Sequence, residues 1–429
     1  MIHPNALSDG EPFVLRDVRV PATFAEGGTG DALLRLDIGI SEGRIAFAEP
    51  TEAATSSPWR DVRVDRLMSW PSLVEAHTHL DSAHIWPRSP NPDGTFPSAG
   101  MTIVADREQH WTPGDMRQRM AFGLRSAYAH GVRAMRTHLA SQNDQIERRW
   151  EIFADLRAEW DGRIALQAVP LTSTEALRDE RMLARVVDVV RKHGNVLGAY
   201  APISPDLDER LGELFCIAAE NGWSLDFHAD ETGDASSDVL RRIARHALAS
   251  SAKVPVLVGH CCSLAMQQPA EVDQVLDLVA EAGIGIVTLP SCNLYLQGRS
   301  PGRTPLWRGV TLLQEMAARG IPVCIGSDNV RDPYHPYGDF DPIESFRDAV
   351  RIAQLDHPIG DWPRGVTLTA GAVVGAAQPI IAGAPADLLL FEAASLNELM
   401  ARFSTRRHQI RNGRFVEAVL PDYAELGRC

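Results

Sequence analysis

Eight short apolar runs, at positions 73–79, 132–139, 164–169, 196–200, 225–228, 254–260, 284–289 and 321–326, alternate along the chain with charge-rich, amphipathic stretches. The runs have strand length, while intervening segments such as 179–193, 209–221, 238–250 and 272–282 carry helical periodicity, several closing on glycine. Strand and helix in strict alternation imply parallel pairing, because each return to the sheet needs a crossover helix. Eight such units predict an α/β fold of the (β/α)8 TIM-like barrel type rather than an open sheet. No Gly-x-Gly-x-x-Gly opens a helix after the first run and no P-loop sequence occurs, so nucleotide-binding folds lack their local mechanism.

The two ends of the chain read differently. Segments 13–18, 33–40 and 44–48, and again 386–391 and 408–416, alternate apolar and polar residues around Gly-containing turns. We expect both ends to join in one small β-sandwich domain, residues 1–68 with 377–429, beside a catalytic barrel spanning 69–376. No cluster of titratable residues falls in the β segments, which directs attention to the barrel.

In a barrel, residues at the carboxyl ends of the strands converge on one mouth. The first run ends in His77-Thr78-His79, whose two imidazoles point to one side of a strand. The fifth ends in His228-Ala229-Asp230-Glu231, the sixth in His260, and the eighth is followed by Ser327-Asp328. Four imidazoles and a carboxylate at equivalent places suit one borderline divalent ion, zinc, iron or manganese, with a position left for water. Water at such a site becomes a nucleophile near neutral pH. Glu231, past the strand end, is placed as an acid/base group, and Asp328 both as a ligand and as acceptor of the water's proton. The chain has only two lysines, Lys192 and Lys253, and neither lies in the fourth run, so no carboxylated lysine is there to bridge a second metal.

Composition narrows the partners. A net charge of -14 over 429 residues argues against nucleic acid and anionic membrane surfaces. Six dispersed cysteines without a C-x-x-C pair indicate neither a disulfide framework nor a cysteine zinc knuckle, and a reduced cytoplasm suits them. The start Met1-Ile2-His3-Pro4-Asn5 has no basic lead or apolar core of a signal peptide, and no apolar run reaches the roughly 20 residues of a membrane span.

The stretches Glu75-Ala76-His77-Thr78-His79-Leu80-Asp81, Arg136-Thr137-His138, His228-Ala229-Asp230-Glu231, Asn293-Leu294-Tyr295-Leu296-Gln297-Gly298-Arg299 and Gly326-Ser327-Asp328-Asn329-Val330-Arg331-Asp332-Pro333 together resemble the amidohydrolase superfamily, in its cytosine-deaminase-like branch. The resemblance runs from about residue 68 to 375 and extends to the terminal β unit. It implies metal ligation by His77, His79, His228 and Asp328, a proton shuttle at Glu231, and polarisation of the attacking water by His260. It also implies hydrolytic loss of ammonia from cytosine or a related aminopyrimidine or triazine, and a homo-oligomeric assembly. The chain departs from the cytosine-specific pattern at Asn329, where a second aspartate is usual, and at Tyr334, where a tryptophan is. The region 171–173 has no ring-binding glutamine. Swapping donors and acceptors around a ring penalises the original ligand heavily. Ser173, Gln297, Asn329, Tyr334 and His84 are the expected substrate contacts, with the insert 85–96 lining the pocket. The competing readings are hydrolysis of another C–N bond, such as an N-alkylamino-triazine or a cyclic amide, and a catalytically silent barrel used for binding.

Overall fold

The computed structural model describes residues 10–53, 57–64, 66–142 and 144–427; Met1–Asn5 and Cys429, read above, lie outside them. In chain order the strands are β1 (Phe13–Pro21), β2 (Leu33–Ser41), β3 (Arg44–Pro50), β4 (Arg60–Arg63) and β5 (Met68–Pro71). Then come β6 (Leu73–Thr78), β7 (Val132–Ala140), β8 (Ala165–Leu171), β9 (Val196–Ala201), β10 (Ser224–Ala229), β11 (Val256–His260), β12 (Gly285–Thr288) and β13 (Val323–Ile325). The last three are β14 (Leu388–Phe391), β15 (Arg407–Arg411) and β16 (Arg414–Val416).

Strands β6 to β13 are the eight apolar runs, each present within a few residues of its expected place. They pair in parallel as β6–β7–β8 and as β9 through β13. Single parallel bridges touch at both seams, Ser173 with Tyr200 and Thr78 with Asp328. The expected helices appear as Glu180–His193, Leu207–Asn221, Val239–Ala249 and Pro269–Ala282. The first shows why its start is legible: Asp179 is the N-cap, its side chain accepting from the Arg181 N–H at 2.9 Å.

The chain ends meet in one eight-stranded mixed sheet ordered β16–β15–β14–β5–β1–β2–β3, with β4 also on β1. Two details differ from expectation. The segment 408–416 is a hairpin rather than one strand, because Asn412 (φ 47°) and Gly413 (φ 71°) take the left-handed conformation of a two-residue turn. Trp70 and Pro71, inside the expected barrel span 69–376, instead belong to β5 and pair antiparallel with β14. Fully buried Trp70 packs edge-on against Phe24, Phe346 and Phe391, at ring separations of 5.2 to 5.7 Å, and so welds the terminal sheet to the helix Pro342–Ile352.

Two helices follow β6, α1 (Phe96–His110) and α2 (Pro113–Ala129), and a third, α3 (Ile146–Glu159), follows β7. Segment α1 mixes apolar and polar residues around its circumference, which hid it from a periodicity reading. Among the described residues no helix is long and apolar enough to cross a membrane.

Candidate active site

The mouth at the carboxyl ends of β6 to β13 is built by abrupt turns. Asp230, His260, Cys261 and Asp328 all have positive φ, between 52° and 71°, a conformation that costs non-glycine residues energy and turns the chain sharply out of the sheet. Each turn is held by hydrogen bonds. The Asp230 carboxylate accepts from the backbone of Val239 (3.1 Å) and Leu240 (2.9 Å) and from the Ser237 hydroxyl, which anchors the loop bearing Glu231 to the next helix. Buried Glu75 accepts from the Ser327 N–H, and the Asp328 N–H donates to the His77 carbonyl at 3.0 Å, tying the eighth strand's turn to the first strand. Burial pushes the Glu75 carboxyl up to about 7. Gly259 lets the rings close up, since a Cβ there would stand 3.0 Å from the His77 ring.

These turns bring His77, His79, His228, His260 and Asp328 together. Ligand atoms of His77, His228, His260 and Asp328 all lie within 4.8 Å of one another, as do those of His77, His79, His138 and His228. His79 Nε2 is 3.0 Å from Asp328 Oδ1 and 3.4 Å from His228 Nε2. Burial holds the His228 ring well below its ordinary pKa and His77 down to about 3, so both offer neutral lone pairs. Burial opposes the charge of Asp328, yet the rings of His77 and His79, whose Nε2 atoms stand 3.5 and 3.0 Å from Oδ1, keep its carboxyl well below the usual range. Both His77 ring nitrogens, both Asp328 oxygens and His260 Nε2 are buried with no hydrogen-bond partner among the described residues. Orphaned polar atoms are costly unless something satisfies them, and neutral imidazoles with an ionised carboxylate are the donor set of a divalent ion.

His138 is an addition to the expected set. The motif Arg136-Thr137-His138 carries no position signal of its own; the fold sets the His138 ring 4.0 Å from that of His77. Its Nε2 lies 3.2 Å from Asp226, which is ion-paired with Arg136 at 2.9 Å, a chain that fixes the ring's orientation.

Glu231 lies on one wall of the mouth. Burial pushes its carboxyl well above the ordinary range, and the Asp328 charge adds to the effect. Asn293, on the helix Pro290–Leu296, donates to both Glu231 Oε1 (3.2 Å) and His260 Nδ1 (3.0 Å). Accepting there, His260 carries its proton on Nε2, the nitrogen facing the cluster. Burial lowers the His260 pKa to about 4, so the ring is neutral. The expected contact Gln297 donates instead to the Glu231 carbonyl at 3.2 Å, positioning the loop.

A cavity of about 300 Å³ opens from this cluster, at the lower end of the range for small-molecule sites. Phe96, Trp111, Tyr200 and Tyr334 give it aromatic walls, and Asn329, Arg107 and Gln142 add polar groups. Of the expected contacts, Asn329 and Tyr334 line it. His84 and Ser173 are not among its lining residues. The chain turns at His84 (φ 67°) and carries that ring into packing with Phe122, Phe340 and Tyr423, while the Ser173 hydroxyl accepts from the Ala176 N–H. The insert 85–96 reaches the cavity through Phe96, and α1 behind it supplies more of the wall than the insert does. Gln142, just after β7, is the glutamine among the lining residues.

A mouth of this kind belongs to a hydrolase that works with a divalent ion and a buried acid. Comparison with known proteins agrees. A profile of the amidohydrolase family matches residues 192–422. A pterin deaminase of Rhizobium rhizogenes (strain K84) is 44% identical, over 99% of this chain and 98% of its own. Among solved structures, 5-methylcytosine deaminase from Klebsiella pneumoniae has a TM-score of 0.81 at 22% identity, covering 96% of this chain and 98% of its own. N-isopropylammelide isopropylaminohydrolase from Burkholderia multivorans has a TM-score of 0.76 at 25% identity, covering 95% and 98%. The chain belongs to the amidohydrolase family. It is a hydrolytic deaminase of an amino-substituted N-heterocycle, as its motifs led us to expect.

Proposed function

We propose that this enzyme removes the ring amino group of a pterin by hydrolysis and releases ammonia. The observation that carries the reading is Glu231, a carboxyl buried on the wall of an aromatic cavity, where burial favours its protonated form, and joined through Asn293 to His260. The choice of pterin among aminated rings is supported by the full-length relative that deaminates it.

His77, His79, His228 and Asp328 would hold one divalent ion, zinc, iron or manganese. When bound, the ion supplies Lewis-acid activation of water at neutral pH. His260, with its proton on Nε2, orients the attacking oxygen, and Asp328 accepts a proton from it. The oxygen bonds to the ring carbon that bears the amine while Glu231 gives its proton to the adjacent ring nitrogen. The bond to the amino nitrogen then breaks, and the carbon keeps the oxygen as a carbonyl. Of the water's two protons, one passes from Asp328 to the departing amine, which leaves as ammonia, and the other returns from the added oxygen to Glu231, replacing the proton given to the ring. Phe96 and Tyr334, packed edge to face at 5.3 Å, shield the reacting carbon from bulk water.

The same reading takes the eight strands as one closed (β/α)8 barrel over residues 69–376, supported by the bridges at both seams, with a small β domain from 1–68 and 377–429. Asn329 and Tyr334 are its substrate contacts. A single metal is favoured because β9 contains no lysine. We further place the enzyme in the cytoplasm as a homo-oligomer.

The test is ammonia release from pterin, cytosine and an N-isopropylamino-triazine by protein of known metal content. The reading expects pterin to be consumed with one ammonia per ring. Isopropylamine from the triazine, with pterin untouched, would overturn it.

A further inference from the structure

Behind one wall of the cavity lies a cluster of buried charge. Arg88 pairs with Asp106 (2.9 Å) and Asp115 (2.6 Å). Arg119 pairs with Asp115 at 2.8 Å and donates to the carbonyls of Asp81 and Ala83. Arg149, on α3, faces Asp81 at 3.4 Å and donates to the Ala140 carbonyl. The guanidinium carbons of Arg107, Arg119 and Arg149 stand 5.9, 5.1 and 5.5 Å from the ring of Trp111, which is itself held by Asp106. Three aspartates thus face four arginines.

The surplus cation is Arg107. It lies on α1, is only 8% exposed, and lines the cavity together with Trp111. Among the described residues no carbonyl or carboxylate accepts a hydrogen bond from it. Asp81 acts on it at a distance and is already engaged by Arg149 and the Ala140 N–H; neighbouring Glu108 is exposed. A buried guanidinium without a partner is a standing cost to the fold, and the one place where a partner can enter is the cavity. Its planar fork matches the two oxygens of a carboxylate.

We propose that Arg107 is a specificity-determining residue that binds a carboxylate carried on the substrate's ring system. The inference rests on the deaminase reading and narrows it: the preferred pterin is anionic. A neutral ring oxygen accepts one hydrogen bond but leaves the charge uncompensated, whereas a carboxylate answers both.

The test compares pterin with a pterin bearing a carboxylate on its pyrazine ring, in the metal-loaded wild type, Arg107→Gln and Arg107→Lys. Both kcat/KM and dissociation constants are read, the latter in a Glu231→Gln background. The wild type should favour the carboxylated ring. Arg107→Gln should cut that preference by about 10- to 100-fold, mostly in KM, and Arg107→Lys should restore part of it. Deamination of both pterins without a preference, or with a preference that Arg107→Gln leaves intact, overturns the role of Arg107 and spares the deaminase reading. Carboxylate-selective binding that depends on Arg107, without ammonia release, retains the role and overturns the reading beneath it.

Discussion

Two buried polar clusters in this protein are built by opposite rules. Where the terminal sheet meets the helix Pro342–Ile352, Arg407 grips Asp341 with two hydrogen bonds of 2.9 and 2.6 Å, and Asp341 also caps that helix through the Ile343 N–H. Arg347 spends its guanidinium on the carbonyls of Leu399, Arg402 and Phe403. Burial works against the Asp341 charge, but Arg407 overrides it and holds the carboxyl well below its usual range. At the strand mouth, by contrast, His77, His260 and Asp328 keep buried atoms without hydrogen-bond partners, and Arg107 stands without a carboxylate. In the first cluster the charged groups satisfy one another and hold the fold; at the mouth the ligand-type atoms are left for a bound partner. Residue type does not separate the two clusters, since both use arginine, aspartate and histidine; the state of the hydrogen bonds does.

The contrast breaks most visibly at Glu231. Glu231→Gln should lower kcat by about a thousandfold while metal content stays at the wild-type value, measured by ammonia release and elemental analysis of the same sample. Normal turnover would remove the proton shuttle from the mechanism. In the satisfied cluster the balance reverses. Asp341→Ala strands Arg407 and should cost about 3–5 kcal/mol in urea unfolding, with kcat/KM per folded molecule little changed. A loss of activity without a loss of stability would contradict the division.

Removing the metal sharpens the difference. If the orphaned atoms at the mouth are ligands, restoring a divalent ion to a hundredfold above its dissociation constant should stabilise the chelated protein by about 2.7 kcal/mol, and the increment should be the same in the Asp341 variant. No change in the unfolding midpoint would mean the cluster binds nothing. A pH-dependent effect lies at Glu344, which burial, with Asp341, Asp348 and Asp339 nearby and His130 opposing, raises from 4.5 to about 7. A carboxyl raised on folding gives stability that is present below 4.5 and lost as pH climbs through about 7. Glu344→Gln should flatten that part of the stability profile, and an unaltered slope would show that Glu344 does not supply it.

Much of this was legible in the sequence because strand ends announce themselves. His77, His79, His228, His260 and Asp328 each close an apolar run, so the repeating topology alone made them neighbours. Glu231 followed from lying just past one of those ends. Other residues depend on how loops return. Asn293 is an unremarked amide until the fold sets it between Glu231 and His260. Arg107 and Gln142 sit on segments with no repeat to place them, and α1 lacks the one-sided apolar stripe that marks a helix. His84 depends on a turn that sequence distance does not show: the chain is left-handed there (φ 67°), and the ring packs with Phe122, Phe340 and Tyr423 outside the cavity lining. The split of 408–416 into a hairpin is written in Asn412-Gly413, the residue pair that favours a two-residue turn.

The central claim is that one divalent ion at the strand mouth and the carboxyl of Glu231 together deaminate a pterin. The most direct measurement follows ammonia against pterin consumed, in one preparation titrated from metal-free to one ion per chain. The account predicts that turnover rises in proportion to metal occupancy and saturates at one ion, with one ammonia for each pterin lost. Ammonia release at full rate from the metal-free protein, or none at full occupancy, would contradict it.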